Sequence, residues 1–415
     1  MAQPAHVVIV GAGIVGLSTA WFLQERGVEV TVLEKTGVNA GASWGNAGWI
    51  APALTLPLPE PSIFRYGLKA VVSPSSPVYI PISLDPRLIR FLLGFAWYST
   101  PAKWRKNMAT FAEINKWGVD SFDRLADGAV KERSVVAEPF LTGFVGERNV
   151  AVLEHEFAEI AARGGHVEFE RITGDELRAI EPTISSAVTH GIRIEGQRYI
   201  NPPLYVDSLA EAVRERGGKI LTGMDVSGIN DLGAAGVEVV TASGETVRAD
   251  QVVVATGTWL GELARRFGVR QLVQAGRGYS FSVKPKVIPN HPIYFPIERV
   301  ACTPLGDRLR IGGMMEFRPA GAAPDPRRIR TMVEAAKPLF DDVDWDAREE
   351  EWVGSRPCTP DGLPLIGTTR SPRVHVAGGH GMWGVTLGPF TGRIVADAIT
   401  GNGEHPLLKQ FDPLR

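Results

Sequence analysis

The stretch that most constrains this chain runs from His6 to Lys35, HVVIVGAGIVGLSTAWFLQERGVEVTVLEK. Val7-Val8-Ile9-Val10 is a short apolar run that reads as a buried parallel strand. Gly11-Ala12-Gly13-Ile14-Val15-Gly16 follows at once as G-x-G-x-x-G. Ile14, Leu17, Ala20, Trp21 and Leu23 then repeat at helical spacing, and Gly27 stops the helix. Val30 to Leu33 is a second strand, ended by Glu34. Gly11 permits the tight turn, Gly13 lets backbone approach a pyrophosphate, and Gly16 lets helix pack on strand. The helix N-terminus offers free N–H groups and a positive dipole end to phosphate. Glu34 is placed to accept hydrogen bonds from an adenosine ribose. Strand, turn, helix, strand and acid in that order predict a dinucleotide-binding βαβ unit.

At 415 residues the chain predicts two domains rather than one core. Its formal net charge of −2, with no basic block, argues against nucleic acid and against a strongly anionic partner. Val7 to Leu23 is apolar, but it lacks a basic n-region and a cleavage site, so it reads as core. Cys302 and Cys358 lie far apart and form no C-x-x-C, which predicts two reduced, packed thiols. The eight histidines show no metal spacing, and no metal is expected.

After Glu34, Gly41-Ala42-Ser43-Trp44-Gly45-Asn46-Ala47-Gly48 is a loop of small residues that a ligand can approach closely. Seven prolines between 51 and 81 break any long helix. Leu88 to Tyr98 has a helical pattern with two readings, a core helix and a membrane-surface or quinone-side face. Val150 to Leu153 reads as a strand, Phe157 to Arg163 as a short helix, and Arg327 to Leu339 as a helix. Arg277 to Val283 and Arg308 to Gly312 read as strands of a second sheet. Gln251 to Ala255 is a buried strand that ends in Ala255-Thr256-Gly257.

A second chemical signature lies near the C-terminus. Arg356-Pro357-Cys358-Thr359-Pro360-Asp361-Gly362-Leu363-Pro364 is a constrained loop and strand. Val374 to Ala377 is a strand, and Gly379-His380-Gly381-Met382-Trp383-Gly384-Val385-Thr386 leads from it into a helix. This second glycine-rich strand-to-helix junction predicts a second close approach to the same ligand. NAD and FAD both satisfy Glu34, and the added glycine loops fit the larger flavin better.

With these residues quoted, the chain resembles the FAD-dependent D-amino acid dehydrogenase and glycine oxidase family, nearly end to end. The resemblance implies an α/β architecture: a discontinuous Rossmann-like FAD-binding domain, residues 1–50, 195–274 and 352–415, and an α+β substrate domain with an antiparallel sheet, residues 51–194 and 275–351. It implies that FAD is held by Gly11, Ala12, Gly13, Ile14, Val15, Gly16, Glu34 and Lys35, and by Ala42, Ser43, Asn46, Ala47 and Gly48. Val226, Ala255, Thr256 and Gly257 join that set, as do Gly379, Gly381, Met382, Trp383, Gly384, Val385 and Thr386. Arg356 is expected to hold a substrate carboxylate, with Tyr279 and His380 beside it. Trp44, Trp49 and Met382-Trp383 stand where relatives carry smaller residues, which points to a reshaped pocket.

The activity implied is hydride transfer from the Cα of a D-amino acid, or a related secondary amino acid, to flavin N5. The imino acid then hydrolyses to a 2-oxo acid and ammonia or amine. Orientation carries such a reaction, so no catalytic acid–base residue is expected. An FAD-dependent hydroxy acid dehydrogenase and an electron-relay flavin subunit of a larger complex are the alternatives. The electron acceptor is a quinone, oxygen or a protein. The expected location is the cytoplasm, with a peripheral contact at the inner face of the membrane as one reading.

Overall fold

The computed structural model describes residues 3–61, 76 and 78–415. Its first sheet has six strands in the order Lys219–Thr222, Glu29–Glu34, His6–Val10, Gln251–Val254, Val374–Gly378, Leu365–Thr368. The first five run parallel and the last is antiparallel to its neighbour. Parallel strands covered on both faces must be apolar throughout, and Val7 to Val10 and Gln251 to Val254 are all buried or nearly so. The strands come from three separate stretches of the chain, so this unit closes only when the C-terminal stretch returns.

Helices Ile14–Glu25 and Gly384–Thr400 pack side by side on this sheet. Their approach is close because a Cβ on Gly392 would meet the Ser18 and Thr19 backbone at 2.6 Å. A Cβ on Gly388 would touch Ile14 and Val15. The first turns of the two helices therefore lie together at the C-terminal edge of the parallel strands.

The second sheet runs Glu349–Cys358, Gln274–Val283, Arg308–Phe317, Val300–Leu305, Ile293–Phe295, Phe140–Phe144, His190–Ile194, Phe169–Thr173, with Val78–Tyr79 added beside Arg308–Phe317. Most of its pairs are antiparallel. Strand Gln274–Val283 shows why it faces two ways. Arg277, Tyr279, Phe281 and Val283 point to one side, where Tyr279, Phe281 and Val283 join a core with Ile329, Met332 and Ala336 of helix Pro326–Ala336. Gly276, Gly278, Ser280 and Ser282 point to the other, and the Ser280 hydroxyl donates to the Gly45 carbonyl at 3.0 Å. The second sheet thus presents a face of small residues to the loop that follows Glu34.

Two local expectations change. Val150 to Leu153 is not a strand but the start of helix Val150–Ala161, because Val150, Leu153, Phe157 and Ile160 form one buried helical stripe. A four-residue apolar run cannot distinguish the two by itself. Helix Pro86–Tyr98 packs Leu88, Phe91 and Phe95 inward, as its core reading expects, whereas Leu93 is 69% and Trp97 62% exposed. Among the described residues no helix is long and apolar enough to cross a membrane, and no group of side chains could hold a metal ion.

Candidate active site

The fingerprint turn is shaped by contacts that exclude side chains. Gly11 has φ +111°, and a Cβ there would lie 2.5 Å from the Ala255 carbonyl oxygen. A Cβ on Gly16 would lie 2.0 Å from the Gly11 oxygen. The Ala255 N–H donates to the Val10 carbonyl at 2.8 Å, which sets the Ala-Thr-Gly strand end against the turn. Helix Ile14–Glu25 begins with no side-chain cap and no acid in its first turn. Helix Gly384–Thr400 begins in the same way. Two adjacent helix N-termini without caps make a site for an anion.

Around them stand the remaining expected cofactor residues. The Ser43 hydroxyl accepts from the Ile14 N–H at 3.2 Å. Glu34 accepts from the Ala12 N–H at 2.8 Å and from the Thr36 N–H at 3.0 Å, so its carboxylate sits at the turn. Lys35 points away, paired with Asp225 at 3.0 Å on the surface, and Val226 follows Asp225 at the start of a strand. The Thr256 and Thr258 hydroxyls are buried without a partner among the described residues. Gly379 and Gly381 take φ +73° and +57°. Val385 is buried, Thr386 donates to the Trp49 carbonyl at 2.9 Å, and the Trp383 indole donates to the Leu56 carbonyl at 2.6 Å. Met382 and Gly384 keep partial exposure between these anchors.

The loop after Glu34 is clamped by the second sheet. The Asn46 side chain accepts from the Gly48 N–H at 2.8 Å, the Thr303 hydroxyl donates to the Ala47 carbonyl at 2.7 Å, and the Trp49 indole donates to Thr303 at 2.9 Å. Ala42, half-buried, opens this loop.

Arg356 comes from edge strand Glu349–Cys358 and lies on the face that the second sheet turns toward that loop. Its guanidinium crosses Gly278, and Nη1 donates to the Met314 carbonyl at 3.4 Å. Among the described residues no carboxylate pairs with it. Asp361, the acid of its own motif, is bound instead by Arg415 at 2.8 Å and accepts from the Leu363 N–H. Burial draws the Arg356 pKa down from the ordinary arginine value, yet the side chain keeps some accessible surface. A desolvated, unpaired guanidinium that water can reach is suited to a carboxylate ligand.

Two expected neighbours are not brought to Arg356. Tyr279 lies on the opposite face of its strand, where its hydroxyl donates to Glu316 at 2.8 Å and accepts from the Asp325 N–H at 3.0 Å. Strand alternation sends it into the core, so its substrate role is withdrawn. His380 is also buried, its ring joined to the Thr391 hydroxyl at 2.8 Å, and burial lowers its pKa to about 4. It is a neutral interior histidine, not a group that meets substrate.

Other residues take part that the sequence reading passed over. Trp352 lies two positions from Gly354 and four from Arg356, on their face. Its indole covers Gly354 and Gly45, where a Cβ would come within 1.7 and 2.0 Å of its ring. Trp44 stands 6.2 Å from Trp352, and the buried Arg310 guanidinium lies 4.9 Å from the Trp44 ring. The period-two set Trp352, Gly354, Arg356 was the available signal. Both cysteines are free and buried, and burial raises the Cys358 thiol to about 12, which makes it an inert packed group.

Comparison with known proteins agrees with this geometry. The family described as DAO, FAD dependent oxidoreductase, matches residues 6–398. A D-amino acid dehydrogenase of Cereibacter sphaeroides is 30% identical over 406 residues, covering 95% of this chain and 92% of the relative. The solved glycine oxidase of Geobacillus kaustophilus superposes with TM-score 0.75 at 22% identity, covering 100% of this chain and 99% of that one. The iminodiacetate oxidase of Chelativorans sp. BNC1 gives 0.72 at 19% identity, covering 98% of each. At such identities the two structures speak for the fold.

Proposed function

The chain belongs to the DAO family of FAD-dependent oxidoreductases, and from that premise we propose that it oxidises an amino acid, of D configuration or with a secondary amine, at the Cα–N bond. The cradle fits FAD on its own terms. The two helix N-termini, neither with a capping side chain of its own, would receive its pyrophosphate, Glu34 would meet its ribose, and the orphaned Thr256 and Thr258 hydroxyls lie at the strand end. FAD when bound supplies the hydride acceptor. Gly11–Gly16, Glu34, Ser43, Asn46–Gly48, Ala255–Gly257 and the 379–386 junction are the residues we assign to holding it.

The protein's own part is orientation. Arg356 takes the substrate carboxylate bidentately, which fixes one end of the Cα. Gly278 makes room for the Arg356 guanidinium, and Gly354 and Gly45 make room for the Trp352 indole, which walls the space beside it. Loss of hydride and a proton from the amino acid gives the imino acid, which water converts to a 2-oxo acid and ammonia or amine. No side chain need carry a proton if the amine enters neutral.

The observation that carries this reading is the unpaired Arg356 guanidinium over Gly278. The names of the curated relatives support the substrate class. Anaerobic titration of the yellow holoenzyme with D-amino acids, secondary amino acids and 2-hydroxy acids tests it. Bleaching by amino acids is expected; bleaching by hydroxy acids alone would replace this reading with the hydroxy acid one, and no bleaching would leave an electron-relay subunit.

The electron acceptor is assigned to a carrier met at the inner face of the membrane. What supports this is the outer stripe of helix Pro86–Tyr98, Ile89, Leu93 and Trp97, flanked by Arg87, Arg90 and Lys103. That local basic rim suits a peripheral contact with anionic lipid. Cosedimentation with phosphatidylglycerol vesicles, lost in Leu93→Glu, is the expected result; vesicles that leave the protein in solution would overturn it.

A further inference from the structure

In strand Glu349–Cys358, the side chains of Trp352, Arg356 and Cys358 and the bare Gly354 share one face. The two ends of this row differ. At the Cys358 end there is no room. A Cβ on Gly276, which pairs with Arg356, would lie 2.7 Å from Cys358 Sγ and 2.9 Å from Met315 Sδ. Both sulfurs belong to a buried core with Leu88, Phe91 and Phe95 of helix Pro86–Tyr98. A ligand held on Arg356 has no path in that direction.

At the other end stands Trp352, half-buried. Its Cη2 takes the place of the side chain that Gly354 lacks, 1.7 Å from where a Cβ would be, as the Arg356 guanidinium does over Gly278. Gly278 and Gly354 are paired across the two strands. Paired Cβ positions lie about 4.5–5.5 Å apart, so the ring edge and the guanidinium carbon stand within about 10 Å of each other. A carboxylate held by Arg356 therefore turns the rest of its molecule toward the indole.

The wall met there is carbon. The ring atoms nearest Gly354 and Gly45 are all carbons of the six-membered ring. Trp44 extends the wall, 6.2 Å from Trp352 and tilted by 47° to it. The cation against Trp44 is already paired: Arg310 is fully buried, and its Nη2 donates to Glu350 at 2.7 Å. Trp49 and Trp383 are anchored elsewhere by their indole N–H groups, to Thr303 and to the Leu56 carbonyl. A charged side chain pressed against Trp352 would lose water and meet carbon in its place. An apolar one would gain by burial.

We infer that Trp352 and Trp44 form the side-chain wall of the substrate pocket and select an amino acid with an extended apolar or aromatic side chain over a small or charged one. This rests on the amino-acid reading above, with Arg356 holding the carboxylate.

The test is steady-state turnover of the holoenzyme with an artificial electron acceptor, on both enantiomers of alanine, norleucine, phenylalanine, lysine and glutamate. In the unmodified enzyme norleucine should exceed alanine in kcat/KM by about fourfold for each methylene group that reaches the wall. Norleucine and phenylalanine should also exceed lysine and glutamate. Trp352→Ala should shrink the norleucine-to-alanine ratio about tenfold or more, while alanine itself stays within about twofold. Trp352→Phe should restore part of the ratio, and Trp44→Leu should lower it less than Trp352→Ala does. FAD content and the flavin absorption spectrum should not change. Equal losses for alanine and norleucine with FAD intact would make the pair a support for the loop and overturn the proposal, as would loss of FAD from all three variants. If alanine matches norleucine in the unmodified enzyme, the ring fills the pocket instead of receiving a side chain, and the proposal fails while the amino-acid reading stands. A preference for lysine or glutamate would overturn it in the same way. Failure of every amino acid to reduce the flavin would remove that reading and this proposal together.

Discussion

The guanidinium of Arg356 lies directly across the backbone of Gly278: a Cβ at 278 would fall 2.3 Å from Arg356 Cζ and 2.4 Å from Nη2. The absent side chain on one strand is what gives the arginine on the next its position. Gly278 pairs with Gly354, and Tyr279 beside it turns to the core, so the glycine fits a strand that must be flat on one face and packed on the other.

Gly278→Ala should therefore act on substrate rather than on folding. The atoms that the new methyl meets belong to the far end of a flexible side chain, which can swing aside. We expect KM for a carboxylate substrate to rise about tenfold, since a misplaced binding group loses much of its orienting value, with FAD content and Tm nearly unchanged. A variant that loses FAD or unfolds, with KM retained, would show that Gly278 serves packing alone.

Glu34 accepts from the Ala12 N–H at the fingerprint turn while its other oxygen accepts from the Thr36 N–H. Glu34→Ala removes a charged acceptor from the place we propose for the ribose. Loss of such a bond should weaken FAD binding by about 1.5–3 kcal/mol. Titration of FAD into apoprotein measures this, and turnover of the fully reconstituted variant should stay close to that of the unmodified enzyme. An unchanged affinity would make Glu34 a brace of the turn and nothing more.

The fingerprint, Glu34 and the strand ends at Ala255 and Gly378 were legible in the sequence because each is local: a motif, its flanking strand and the helix after it. Arg356 was singled out through its motif, and the structure adds its place across Gly278. Tyr279 was misread because a residue type was chosen without counting strand alternation. Gly276, Gly278 and Ser280 mark the ligand face, and Tyr279 falls between them. His380 sits in a glycine-rich junction whose backbone faces the cradle, while its ring turns inward to Thr391.

Two interior histidines set an acid limit on stability. Burial lowers both His375 and His380 to about 4, below the value of about 6.5 that each takes when unfolded. Between those values the unfolded chain binds more protons than the native one, so stability is full above pH 6.5 and falls as pH drops toward 4. Each histidine should cost about 2 kcal/mol of stability at pH 5 relative to pH 7.5. Urea unfolding at the two pH values, followed by flavin release and tryptophan fluorescence, measures the slope. His380→Gln, which keeps a partner for Thr391, should flatten it; an unaltered slope would mean that the ring is protonated in the native state.

Arg356 carries the functional argument most directly. Its neighbour Pro357 and its place on a paired strand fix its backbone, and Asp361, the acid nearest in sequence, is already held by Arg415. Arg356→Ala should lower kcat/KM for an amino acid by roughly 2–5 kcal/mol, the range for losing one partner of a desolvated charge pair. Most of the loss should appear in KM if the carboxylate is held equally in ground and transition states. Arg356→Lys should recover only part, because an ammonium cannot present the planar fork. The control is an amine that lacks the carboxylate, assayed with the same enzyme preparations at equal FAD content. It has nothing for Arg356 to hold, so its slow turnover should be indifferent to the substitution. If that amine loses as much as the amino acid does, Arg356 supports the sheet rather than the substrate, and the amino-acid assignment loses its main structural support.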